Sequence, residues 1–258
     1  MSVKNMHIDK FIIVVRRYAN AFIKKRLEVQ TLTGFAAIAI AILTLAEFFI
    51  KVSNGTRPSL SNSAALVQFI TNSSTSILTI IVIDTLLMAC LIIFFAGIRQ
   101  LIIRANHQLN WITDLAFGSG LVFVAITLIG DAMDGGAALD TVGNYAADPS
   151  VLRALTEGHM LLFGSVGCVL TALVTATFAY TTFASGALPK WTGWVGYAVA
   201  IANLLAVPTV YGGTSARSFV SAGGFGVTLL ATFPFLVWVV AIGIVTIKTK
   251  NRTKKAFW

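Results

Sequence analysis

Six uninterrupted apolar stretches constrain this chain more than any other feature: residues 31–50, 76–98, 111–130, 159–184, 191–210 and 225–247. Each has the roughly 20 residues a helix needs to cross a hydrocarbon layer about 30 Å thick. In such a layer every backbone N–H and C=O has to be satisfied within the chain, which leaves helices and closed barrels. The stretches are continuously apolar, without the ten-residue alternation of barrel strands, so helices are expected. The sequence predicts an all-α, polytopic membrane protein with six transmembrane helices in one bundle.

Composition bears on this in one respect. Only 11% of the 258 residues are charged, whereas a soluble domain carries about a quarter. The net charge of +9 then matters through its placement. Fifteen of the 19 Lys and Arg residues lie before the first stretch, after the last, or in the connectors around Arg99, Arg104 and Lys190. Lys51, Arg57, Arg153 and Arg217 are on the other side. This asymmetry predicts cytoplasmic N- and C-termini in a cell (inner) membrane.

The chain divides accordingly into a basic N-terminal segment, 1–30, a six-span domain, 31–247, and a basic tail, 248–258. Polybasic ends beside apolar spans point to anionic lipid head groups as partners, at about 1 kcal/mol per charge near the surface. Nucleic acid is not expected. Within residues 8–26, Phe11, Ile12, Val15, Phe22 and Ile23 recur near helical spacing, with the basic residues largely opposite. That pattern predicts an amphipathic helix lying in the interface ahead of the first span.

Two connectors are long: 51–75, rich in Ser and Asn, and 131–158, acidic and rich in Gly. Asp148 followed by Pro149 reads as a helix N-cap and first-turn pair, and Gly158 marks a possible break before the fourth span. Pro208 ends or kinks the fifth span. Cys90 and Cys168 lie in apolar runs without metal-ligand spacing, so neither a disulfide framework nor a zinc site is indicated.

The turn Ser185, Gly186, Ala187, Leu188, Pro189, Lys190, Trp191, Thr192, Gly193 follows a span rich in small residues and opens another. It resembles a turn in bacterial six-span membrane proteins grouped as a domain of unknown function, with looser similarity over residues 76–247. The resemblance implies a bacterial multi-pass protein and brings no catalytic residues with it.

Among residues that could carry chemistry, Asp84 stands out because it sits within the second apolar run with no basic residue at its depth. A charge there is costly, so Asp84 is expected to carry a proton or to line a polar cavity holding a cation or water. By helical rise, Thr171 and Asn203 reach a similar height, and the three together form a candidate proton or cation site. The alternative is a neutral Asp that holds helices together. Glu47 is four residues before Lys51, the favourable order for an ion pair on one helical face. Asp114 is within reach of Arg99, Arg104 and His107, and interface anchoring accounts for it.

Asp131 and Asp134, three residues apart, together with Glu157 and His159, form an acidic rim at the outer edge. Carboxylates and one His could bind a divalent cation, although the spacing matches no calcium loop; a solvated rim is the simpler expectation. Three histidines are too few for a bis-His haem or a three-His zinc hydrolase inside the layer. Ser119 and Ser165, flanked by glycines, have no His placed to act as base.

No cofactor is indicated and no enzyme is expected. Two functions remain: a non-enzymatic subunit or scaffold of a membrane assembly, with a membrane partner or a homo-oligomer, and a small transporter or channel using Asp84. The sequence places the subunit first.

Overall fold

The computed structural model describes residues 29–142, 148–216 and 218–255. The amphipathic helix expected over 8–26 lies outside them. The described residues are helical apart from the connections between helices, with no strand among them. Six segments are long and apolar enough to cross a membrane: Val29–Ser53, Ser63–Ala105, His107–Val142, Pro149–Ser185, Lys190–Gly212 and Phe225–Lys248, with mean hydropathy from 1.5 to 2.8.

We name the helices α1 (Val29–Ser53), α2 (Ser63–Ala105), α3 (Asn110–Val142), α4 (Pro149–Leu161), α5 (Gly167–Ser185), α6 (Lys190–Ala206) and α7 (Phe233–Lys255). A π turn, Leu162–Val166, joins α4 to α5, and a second, Thr228–Thr232, precedes α7. Helix α1 packs on α2, α2 on α3, α3 on α5, α5 on α6 and α6 on α7, and α7 returns to α1.

Helix α2 begins well before the apolar window. With 43 residues it is roughly 64 Å long at the α-helical rise. Residues 63–75, expected as part of a connector, are helical for three physical reasons. Asn62 caps the helix, its Oδ1 accepting from the Ala65 N–H at 3.2 Å. Thr71 and Ser74 donate their hydroxyls back to the Val67 and Thr71 carbonyls at 2.8 and 3.1 Å, so polar side chains do not interrupt the run. Leu66, Ile70 and Ile77 share one face and bury against Ala137, Ala138 and Leu152 of α3 and α4. Helix α3 likewise continues past Gly130 to Val142, which puts Asp131, Asp134 and Asp140 on a helix.

Asp148 and Pro149 start α4 as their order implies: Asp148 Oδ1 accepts from the Ser150 N–H at 2.8 Å and from its hydroxyl at 2.7 Å. The break in the fourth segment falls at Gly164 (φ −76°, ψ −113°) inside the π turn, not at Gly158. Helix α6 ends at Ala206 and passes into a 3₁₀ turn, Val207–Gly212, with Pro208 in its first turn.

The short connections lie at one end of the helices. There α5 stops at Gly186, whose left-handed φ of 64° lets its N–H reach the Thr182 carbonyl at 3.1 Å; glycine adopts this conformation without the strain a Cβ adds. Leu188 folds inward and Pro189 opens α6. The main core fills the half of the structure nearer this end. Phe94 and Phe95 of α2, Phe178 of α5 and Trp238 of α7 interlock there, with ring centroids 5.8 to 6.3 Å apart. Toward the long-connection end the packing opens into a cavity.

Candidate functional site

Titratable side chains from four helices meet at that opening. Glu47 and Lys51, one helical turn apart on α1, form the ion pair their spacing implies, Lys51 Nζ donating to Glu47 Oε1. Asp84 stands at the midpoint of α2. Asp131 and Asp134 extend from one face of α3, and His159 comes from the last turn of α4. All of them line a cavity of about 400 Å³. It adjoins a smaller chamber of about 110 Å³ walled by Thr171 of α5 and Asn203 of α6; Glu47, Asp84 and Phe163 border both.

The ion pairs are incomplete. Arg57, in the connector after α1, crosses to Asp134, and Lys51 is taken by Glu47. Asp84 and Asp131 are each only 3% exposed, and no donor reaches Asp84 Oδ2 or Asp131 Oδ2. Glu47 and Asp84 border both chambers, and Asp131 lines the larger one with them. A carboxylate only accepts, and a carboxyl donates only when it carries a proton. Asp84 and Asp131 are therefore two buried acids with unmet oxygens in one cavity, a state that calls for a proton or a cation. Lys51 lines the larger cavity together with Asp84 and Asp131.

Asn203 is fully buried and donates from Nδ2 to the Val199 carbonyl at 3.0 Å, while its Oδ1 has no partner. Buried polar atoms are normally satisfied, so three orphan oxygens around one cavity system mark a place built to receive something. His159 Nδ1–H donates to the Gly130 carbonyl at 3.0 Å, and its ring packs on Phe163 with centroids 4.6 Å apart. Once Nδ1 is committed, Nε2 remains as the acceptor of a neutral imidazole.

The structure thus brings Asp84, Thr171 and Asn203 to one chamber, and Asp131, Asp134 and His159 to the cavity beside it. Asp131 is buried, not part of a solvated rim. Glu157 does not line the cavity. It pairs with Arg153 one turn earlier at 2.8 Å, because positions 157 and 159 differ by about 200° around a helix. Among the described residues no group of three or more His, Cys, Asp or Glu side chains is arranged to hold a metal ion. Ser119 and Ser165 donate to the Leu115 and Val207 carbonyls at 2.8 and 3.0 Å, which gives both hydroxyls structural partners.

Sequence reasoning missed Glu47 as a cavity residue, because the pair with Lys51 already accounted for it. Arg57 gave no signal at all, since its partner is 77 residues away. No family model, curated protein or solved structure matches the chain.

Proposed function

We propose that the six apolar segments form one transmembrane bundle and that the protein is a small transporter in which Asp84 binds a proton or cation during the transport cycle. Supporting the membrane setting, large apolar side chains face outward at mid-helix and beyond: Val82 is 63% exposed, Leu205 65% and Trp194 67%. Exposed apolar surface on this scale suits a lipid solvent. Trp111 and Trp191, also exposed, stand at the short-connection end, where indole rings prefer a membrane–water boundary.

The observation that carries the transport reading is the orphan Oδ2 of Asp84, buried at the centre of the longest apolar helix and bordering both chambers. A non-enzymatic subunit or scaffold draws on the generic spans and basic ends, but such a role does not call for a carboxylate in that position. It ranks second on these grounds. Neither reading involves an enzymatic step.

The test is proton movement in proteoliposomes carrying a pH-sensitive dye. Native protein should give saturable, gradient-dependent flux, and Asp84→Asn should abolish it while keeping the native melting temperature and elution volume. Equal flux in Asp84→Asn would remove the proposal. Orientation is tested separately by labelling cysteines introduced at positions 140 and 250: only the first should react in intact cells.

A further inference from the structure

The charges and rings around the larger cavity narrow the class of cation. Each basic group at the cavity has its own acid, Lys51 with Glu47 and Arg57 with Asp134, which leaves Asp84 and Asp131 as acids in excess. Phe48, Phe225 and Phe233 line the same cavity as an apolar wall: Phe48 and Phe225 both meet Phe233 edge to face, with centroids 5.5 and 6.5 Å apart. Rings of this cavity already serve cations. Lys51 Nζ lies 5.8 Å from the centroid of Phe163, and Arg57 lies 5.8 Å from that of Phe69. The three wall rings have no such protein cation among the described residues.

A bare divalent ion fits poorly. Calcium takes about 6–8 oxygens at short, fixed distances, and the described acids are not so arranged. The volume of about 400 Å³ instead falls in the range of small-molecule sites, about 300–1,000 Å³. Acids in excess beside aromatic faces are the chemistry that holds an ammonium group with organic substituents. Asn203 Oδ1, orphaned in the adjoining chamber, offers one further acceptor to an ammonium N–H or its water.

We infer that the cavity binds a monovalent organic ammonium, its charged head at Asp84 and Asp131 and its apolar substituents against Phe48, Phe225 and Phe233. This rests on the proposed transport reading and names its substrate class. Ammonium and proton then compete for the same acids. The other groups facing these acids are Glu47 and Lys51 from α1, Arg57, Asp134 from α3 and His159 from α4. On the side of α6 and the Phe225–Phe233 segment the lining is uncharged. Binding of the ammonium to Asp84 and Asp131 releases the proton they hold, and its departure takes one up, which gives the exchange without any covalent step.

The experiment is calorimetric titration of the full-length protein in mild detergent with benzyltrimethylammonium, tetramethylammonium, sodium and calcium chlorides and uncharged 3,3-dimethyl-1-butanol. Proton uptake is measured in proteoliposomes reconstituted from the same preparation. Benzyltrimethylammonium should bind saturably, tetramethylammonium about tenfold more weakly for want of the ring contacts, and the alcohol not at all. Asp131→Asn and Phe233→Leu should each weaken benzyltrimethylammonium by about tenfold, so the inference does not depend on either variant folding. Saturable binding of sodium or calcium without ammonium binding, or equal binding of the alcohol, would overturn the ligand class while native proton uptake left the transport reading in place. Loss of both ammonium binding and proton uptake would remove both.

Discussion

Arg57 and Asp134 are joined through a single nitrogen, Nη2 of the arginine lying 2.9 Å from each carboxyl oxygen of the aspartate. Both side chains are mostly buried, and the contact fastens the connector after α1 to the far half of α3. Removing one partner leaves the other as a poorly solvated charge. Arg57→Ala should therefore cost about 2 kcal/mol of stability, and Arg57→Lys less. A double-mutant cycle with Asp134→Ala, read from unfolding of the detergent-solubilised protein, should show a coupling of similar size; additive single effects would mean that the pair is not formed.

Asn203 offers a contrast between stability and use. Its Oδ1 is buried without a donor, so replacing it with leucine removes an unsatisfied group at the expense of chamber space. Asn203→Leu should melt at or above the native temperature, gaining up to about 1 kcal/mol, while losing flux. A marked drop in melting temperature would show that the amide is structural.

Two glycines should respond in opposite directions. Gly186 has a φ of 64° with open space around its Cβ position, so Gly186→Ala meets backbone strain alone and should lose about 1 kcal/mol. Gly118, helical in α3 and equally unobstructed, should gain roughly 0.5–1 kcal/mol on substitution by alanine. Thermal denaturation of the two variants side by side gives the comparison.

Asp148 makes the N-terminus of α4 sensitive to acid. Hydrogen bonds from the Ser150 hydroxyl, and then from the Ser150 N–H, hold its carboxyl below the ordinary value of 3.8. A group lowered on folding contributes fully above its unfolded value and loses that contribution as the pH falls through its folded value. The protection of the Ser150 and Val151 amides, taken relative to their intrinsic exchange rates at each pH, should thus be full at pH 6 and fall below about pH 4. Asp148→Asn should flatten this dependence, because an amide oxygen still caps but does not titrate.

Much of the architecture was legible because apolar run length depends on the residues themselves. Asp84 was visible for the same reason, as a charge in a run with no local partner. Thr171 and Asn203 followed from counting depth along neighbouring spans. What stayed hidden depended on which face of a helix turns inward. Glu47 and Lys51 satisfied each other on paper, and nothing in that pairing reveals that the same carboxyl borders both chambers with Asp84. Asp131 read as solvated because it followed the apolar window, yet α3 continues and Gly130, Asp131 and Gly135 turn toward its neighbours. The beginning of α2 at Ser63 was obscured by a polar stretch in which Asn62 caps the helix and Thr71 and Ser74 bond back to it.

The π turn at Leu162–Val166 makes the direction of α4 depend on one backbone position. A π turn holds one residue more than the α-helix it interrupts, and its wider turn absorbs that residue, so the side chains on either side keep nearly the phase of a continuous helix. What changes is the axis: Gly164, with a ψ of −113°, bends the chain between α4 and α5. Straightening this bend would carry His159 and Met160 away from the cavity wall with no change in any side chain they carry.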